Sequence, residues 1–361
     1  MKKKFFRYRF GRLPLPVFFP DATRAVVRAI DTSDIENTKT PGLLVNTYHL
    51  FKEVGIDRIK KAGGIGKFMD WKGALISDSG GFQVGSLIKQ NPKLGHIDDL
   101  GAHFRQDNGK HIVLTPEESI RFQMSLGVDM VVVLDDFTGL DDNREKAERS
   151  VERTVDWAER SKKEFEKICK KRGISKNKRP YILGVVQGGE FMDLREQCTK
   201  KLVRIGFDGM GWGGWPIIDG KLNFESAKII ADNSPENYLL YGLGIGKPED
   251  IVTLHKLGYN VFDCVLPTRD ARHKRLYVYN SDSIGKINIE QKNFYSFLSP
   301  DKQKFLNAHS PVSKACDCIT CRRYSRAYLA HLFKIGDFTA GRLATIHNLR
   351  FYSILMQKLQ G

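Results

Sequence analysis

Three of the chain's 6 cysteines, Cys316, Cys318 and Cys321, fall within six residues. A turn that tight aims three thiolates at one centre, and a zinc ion held tetrahedrally by sulfur and nitrogen donors then needs one ligand more. His347, in the run Thr345-Ile346-His347-Asn348, is the first candidate, and His331 is the alternative. A zinc ion with four protein ligands keeps no open position, so one such ion would stabilise the fold and leave the chemistry elsewhere.

The second chemical set consists of polar residues that end short apolar runs. Ala74-Leu75-Ile76 leads to Ser77 and Asp78, Met130 to Leu134 leads to Asp135 and Asp136, Ile182 to Val186 leads to Gln187, and Val261-Phe262 leads to Asp263. Leu43-Leu44-Val45 leads likewise to Asn46, Gly209-Met210 to Gly213 and Gly214, and Tyr238 to Tyr241 to Gly242 and Gly244. Continuous apolar runs of this length predict strands buried on both faces of a parallel sheet. Between them lie helical stretches. The clearest follows Asp142 and Asn143, where Ala147, Val151, Val155, Ala158, Phe165 and Ile168 form a stripe at helical spacing. Seven strand–helix alternations predict an α/β fold, a (β/α)8 TIM-like barrel, with a doubly wound open sheet as runner-up. In a barrel, residues just past the strand C-termini converge on one mouth, where Asp78, Asp135, Gln187 and Asp263 would meet. A reaction is therefore to be sought at these carboxylates, each of which could instead cap the next helix.

This reading places a barrel with the active site in residues 1–275 and a zinc-binding subdomain with closing helices in 276–361. Residues 280–315 read as loop with short helix, and Tyr324 to Lys334 as helix. Among 361 residues, 58 Lys and Arg against 42 Asp and Glu leave a net charge of +16. Such an excess attracts polyanions, nucleic acid first. Composition is that of an ordinary globular chain, which argues against disorder, and no apolar run approaches the roughly 18 residues needed to cross a bilayer. Arg7 and Arg9 interrupt any signal-like core after Met1-Lys2-Lys3-Lys4, and unpaired cysteines suit a reducing cytoplasm.

Several strings together resemble the tRNA-guanine transglycosylases of bacterial type, over residues 14 to 360. They are Asn46-Thr47-Tyr48-His49-Leu50, Ser77-Asp78-Ser79-Gly80-Gly81-Phe82-Gln83-Val84, Gly184-Val185-Val186-Gln187-Gly188-Gly189, Gly242-Leu243-Gly244-Ile245-Gly246-Lys247-Pro248, Phe262-Asp263-Cys264-Val265-Leu266-Pro267-Thr268-Arg269, and the cysteine cluster to His347. The resemblance implies an irregular (β/α)8 barrel with a C-terminal subdomain holding one structural zinc on Cys316, Cys318, Cys321 and His347. It implies exchange of the wobble guanine of tRNA for a 7-deazaguanine base. Asp263 falls in the position of the family's nucleophile, which would form a ribosyl–aspartate intermediate, and Asp78 in that of its general acid/base; the two roles could be exchanged. Asp135 and Gln187 match base-reading residues, Gly213 and Gly214 would offer backbone N–H groups, and Phe82 and Leu243 align with residues that sandwich the base. Arg269, Arg272, Lys274 and Arg275 are the phosphate-contact candidates.

Departures from the family bear on the incoming base. Asp135-Asp136-Phe137 is closer to the eukaryotic pattern than to the bacterial one, whereas Trp215-Pro216-Ile217 is bulky where eukaryotic members make room for queuine. The aminomethyl precursor base is therefore favoured, with queuine as the alternative. Tyr324, Tyr328 and His331 resemble the aromatic dimer contact of bacterial members, so a homodimer is expected. A noncatalytic tRNA-binding partner subunit and a DNA base-exchange enzyme are the rival readings; retention of both Asp78 and Asp263 argues against the former.

Overall fold

A computed structural model of the chain describes residues 4–105, 109, 111–214, 216–218 and 221–361. Eight parallel strands run in chain order: β1 (Val17–Pro20), β2 (Gly42–Val45), β3 (Ala74–Ser77), β4 (Met130–Val132), β5 (Tyr181–Val186), β6 (Gly209–Trp212), β7 (Leu239–Gly242) and β8 (Val261–Cys264). Each pairs with the next from β2 to β8, and β8 returns to β1 with Val261 opposite Val17 and Cys264 opposite Pro20. Between β1 and β2 the contact is a single bridge, Asp21 to Leu44, with the Ala22 N–H donating to the Leu44 carbonyl at 2.7 Å. The boundary between β3 and β4 is equally thin, with Ile76 opposite Met130 as its one registered pair, and the sheet is thus a nearly closed barrel, which excludes the open doubly wound arrangement.

The strands are buried along most of their length, as unbroken apolar runs demand, and helices cover their outer side. The longest covering helix, Arg144–Lys171, starts where Asn143 accepts a hydrogen bond from the Lys146 N–H, and it buries Ala147, Val151, Ala158, Phe165 and Ile168. This is the stripe that the sequence predicts.

Several expectations require correction. The first barrel strand, Val17–Pro20, is absent from the sequence reading because it is only four residues long, with Pro14 and Pro16 just before it and Pro20 at its end. Asp263 does not follow the last strand but lies within it. Residues 280–315 are more ordered than a loop: Tyr295–Leu298 pairs antiparallel with Leu276–Tyr279. The helix expected from Tyr324 begins at Arg326, with Ser325 as its cap; Tyr324 lies outside it and stacks on Tyr328 at 5.3 Å. A small sheet after β3, Gly95–Ile97, Ala102–Arg105 and His111–Leu114, was not anticipated.

The C-terminal helix Phe338–Leu359 joins the barrel to the cysteine cluster. Its Asn348 side chain donates to the carbonyls of Pro267 and Arg275 and accepts from the Tyr277 N–H, while the Tyr352 hydroxyl donates to the Gly246 carbonyl. One helix thereby ties down the segments that follow β7 and β8. No helix among the described residues is long and apolar enough to cross a membrane.

Candidate functional site

The C-terminal ends of the strands surround a cavity of about 710 Å³, lined by Asp78, Phe82, Asp135, Gly213, Gly214, Leu243, Asp263 and Arg269 among others. Residues separated by nearly two hundred positions meet because a parallel barrel sends every strand end to the same rim. None of the three aspartates is the cap residue of the following helix.

Asp78, just past β3, is held by the second strand's exit. Asn46 Nδ2 donates to Asp78 Oδ2 at 2.5 Å and the Thr47 N–H donates to Oδ1 at 3.1 Å. The same Asn46 side chain accepts from the His49 N–H at 2.9 Å, capping helix Thr47–Glu53. Burial pushes the Asp78 carboxyl up to about 7, with the charge of Asp263 adding to it, against those two donors.

Asp263, 8% exposed, accepts from the Tyr241 hydroxyl at 2.7 Å and from the Gly244 N–H at 2.8 Å, both on Oδ1. Oδ2 is left as the oxygen available to an electrophile. Burial raises this carboxyl to about 6; the Gly244 and Tyr241 donors oppose the rise and the nearby charge of Asp21 adds to it. The two acids are thus poised near neutrality by desolvation, the condition under which one can be ionised while the other keeps its proton.

Asp135 is also pushed up by burial, to about 7. It accepts from Gln187 Nε2 at 2.6 Å, and Gln187 Oε1 accepts from the Thr138 N–H at 3.1 Å, so the amide has a fixed orientation. At Gly213 an added Cβ would stand 2.5 Å from Val185 Cγ1 and 2.6 Å from Gln187 Nε2, so no larger residue fits. Gly214 has φ +77°, the left-handed region that glycine occupies without strain. Phe82 is 46% exposed and its ring meets Phe137 edge-on at 5.1 Å; both rings line the cavity, so Phe82 is pocket wall rather than interior packing. Trp215 and the Ile217 side chain lie outside the described residues.

The basic candidates separate. Arg269 lines the cavity, whereas Arg272 donates to the Thr268 carbonyl, Lys274 pairs with Asp301 at 3.4 Å, and Arg275 covers the Phe297 ring at 3.6 Å.

Four contributors escaped the sequence reading as site residues: Asn46, Tyr241, Asp21 and Arg195. Arg195 is 1% exposed, and its guanidinium donates to the carbonyls of Gly189 (2.6 Å) and Gly213 (3.1 Å). Burial lowers it to about 10, so it remains cationic at neutral pH. It fixes both glycine segments that flank Gln187. Replacing it, Arg195→Met, strands buried carbonyls and is expected to cost about 2–4 kcal/mol in urea unfolding. An unchanged unfolding midpoint would show that those carbonyls find other donors.

At the far side of the C-terminal helix, Cys316, Cys318, Cys321 and His347 bring one ligand atom each to within 4.8 Å of one another. Cys321 Sγ is 3.2 Å and Cys318 Sγ 3.8 Å from His347 Nδ1. A tetrahedral zinc with these donors separates sulfur and nitrogen by about 3.5 Å. His347 Nε2 lies 2.7 Å from the Tyr277 carbonyl, which assigns the proton to that nitrogen and turns the Nδ1 lone pair to the thiols. The bidentate Asp317–Arg350 pair fastens the cysteine turn to the same helix. The four residues could hold a metal ion, and three thiolates with one imidazole suit zinc; His331 is exposed and takes no part.

The sequence profile of the queuine tRNA-ribosyltransferase family matches residues 6–361. The chain belongs to this family. Among curated relatives named queuine tRNA-ribosyltransferase, that of Shewanella sp. (strain W3-18-1) is 36% identical over 354 residues, 97% of this chain and 87% of the relative. That of Caldanaerobacter subterraneus subsp. tengcongensis is 38% identical over 353 residues, 97% and 86% of the two chains, and that of Baumannia cicadellinicola is 37% identical over 353 residues, 97% and 88%. Membership in the queuine tRNA-ribosyltransferase family thus extends across barrel and cysteine cluster alike.

Proposed function

We propose that the chain exchanges the wobble guanine of tRNA for a 7-deazaguanine base, the aminomethyl precursor in preference to queuine. The observation that carries this reading is the juxtaposition of Asp78 and Asp263, two buried carboxylates with raised affinities for protons, at a cavity that Phe82, Leu243, Gly213 and Gly214 also line. Bond cleavage at a nucleoside places positive charge on C1′, which a carboxylate can capture. Asp263 Oδ2 bonds to C1′ as the C1′–N9 bond breaks, and Asp78 gives its proton to the departing guanine. Asp78 then takes the N9 proton of the incoming base, whose nitrogen displaces Asp263. Two inversions retain the configuration. Asp135 and Gln187 read the polar edge of the base, the exposed ring of Phe82 supplies a stacking face, and Arg269 takes a neighbouring phosphate.

The queuine alternative rests on Phe137, which departs from the bacterial pattern. In this reading residues 1–275 form the catalytic unit and 276–361 the subdomain around one structural zinc. The protein acts as a cytoplasmic homodimer with Tyr328 and His331, both exposed, at the contact.

The test is incorporation of labelled guanine into unmodified tRNA, with the aminomethyl base and queuine as competitors and a DNA stem-loop of the same sequence as control. Incorporation into tRNA alone, competed best by the aminomethyl base, is the expected result. Equal use of DNA, or none of either substrate by folded protein, overturns it. The pH profile gives a second prediction. Exchange needs Asp263 ionised and Asp78 protonated, so kcat/KM should rise to a maximum between pH 6 and 7 and fall above it, with the limbs belonging to the coupled pair. A profile flat from pH 5 to 8 contradicts these roles.

A further inference from the structure

Three of the chain's 9 histidines sit together on the small sheet between β3 and β4, and none of them belongs to either site described above. Side chains alternate across a strand. In this sheet Ala102 and Phe104 face inward and pack with Ile88 of helix Gly81–Gln90, backed by Ile97, Ile112 and Leu114. The opposite parity puts His96, His103 and His111 on the outer face. The register sets His96 directly across from His103, and His111 across from Arg105, one diagonal step away.

His96 and His103 stack with ring centroids 4.4 Å apart and planes within 9°. Both turn a nitrogen to Asp98: His103 Nε2 is 3.1 Å from Oδ1, and His96 Nε2 is 3.7 Å from Oδ2. Asp98 is itself oriented by the N–H groups of Leu100 (2.9 Å) and Gly101 (3.2 Å). The ligand atoms of all three residues lie within 4.8 Å of one another. One histidine suffices to satisfy an aspartate, so a hydrogen bond explains His103 but not the second imidazole facing the other oxygen of the same carboxylate. Ligands about 2.0–2.2 Å from a transition-metal ion stand about 3–3.5 Å apart; the His103–Asp98 distance of 3.1 Å already matches, and the exposed His96 ring must turn out of its stack, since two parallel rings cannot both aim an in-plane lone pair at one ion.

We propose that His96, Asp98 and His103 form a second metal site, suited to a borderline dication such as zinc. Two imidazoles and a carboxylate provide three ligands on one side of the ion and leave at least one position to water or an anionic oxygen. The site is open, with the His96 side chain 65% and Asp98 46% exposed, and it lacks thiolate. Its ion therefore exchanges readily, unlike one enclosed by Cys316, Cys318, Cys321 and His347.

The test is equilibrium dialysis of the full-length protein against about 10 μM free zinc, with metal counted by mass spectrometry. The wild type should bind one equivalent more than His96→Ala or His103→Ala, whose affinity for that equivalent drops at least tenfold, while His111→Ala keeps it. The comparison reads a difference, so it stands whether or not the cysteine cluster is loaded. Because His96 is exposed, its alanine variant should melt with the wild type. A wild type without the extra equivalent, or an extra equivalent that survives His96→Ala, overturns the proposal.

Discussion

Asp263→Asn should abolish base exchange, with a loss of at least about 10³-fold, while tRNA affinity stays within a few fold. The carboxamide keeps the shape of the acid, and its oxygen can still accept from the Tyr241 hydroxyl and the Gly244 N–H, so the surrounding loops have no reason to move. On the proposed mechanism, only the capacity to form the ester with C1′ is lost. Stability should move the other way. The folded-state value near 6 lies above the ordinary carboxylate value of 3.8, so the stability this acid contributes is present in full below that value. It is lost as pH rises through about 6. At pH 8 the variant escapes that loss and should be more stable than the wild type by up to about 3 kcal/mol. Inactive protein with a raised melting temperature identifies a group kept for chemistry; inactive protein that melts early identifies a structural one. Filter binding with wobble-guanine tRNA and calorimetry at pH 8 together decide.

Cys318→Ser should be the most damaging substitution outside the barrel. A serine hydroxyl does not replace a thiolate toward zinc, and structural zinc sites contribute about 10 kcal/mol or more to the folding of small domains. The helix that carries His347 also carries Asn348 and Tyr352, whose hydrogen bonds reach Pro267, Arg275, Tyr277 and Gly246. Loss of metal should thus loosen the exits of β7 and β8 before the barrel itself unfolds. The expected sequence on titration with a strong chelator is release of zinc, then loss of exchange, then loss of helicity at higher temperature. Full activity in metal-free protein would detach the cysteine cluster from the site.

The legible part of this site is the part carried by contrast. Asp78, Asp135, Gln187 and Asp263 stand out because each is a polar residue ending an apolar run, and a parallel sheet leaves few reasons for that except a rim. Tyr241 was hidden by the same logic: inside an apolar run a tyrosine reads as interior, and only the neighbouring strand shows its hydroxyl reaching Asp263. Arg195 was hidden because cations on helices usually face water; its two carbonyl partners come from loops eighteen and six residues away in sequence. Asn46 was visible as a run ending, but its double duty as helix cap and partner of Asp78 depends on two strands lying side by side. The first strand and Asp21 were lost together, since prolines around a four-residue run mimic a loop. The cysteine cluster needed no tertiary knowledge beyond the choice between His331 and His347. That choice turned on which helix face meets the thiols.

The barrel has two lines of least resistance, between β1 and β2 and between β3 and β4. Each rests on a single residue pair, Asp21 with Leu44 in the first and Ile76 with Met130 in the second, whereas the remaining boundaries are ladders of two or more pairs. Asp21 and Asn46 stand on the two sides of the first, and both border the cavity. Amide protons along both lines should exchange with solvent sooner than those of β5 and β6. In the proposed exchange, where one flat ring leaves and another enters while the polymer stays attached, the laddered pair β2 and β3 that positions Asp78 has a thin boundary on each side and can shift as a unit against the ladder of β5 and β6.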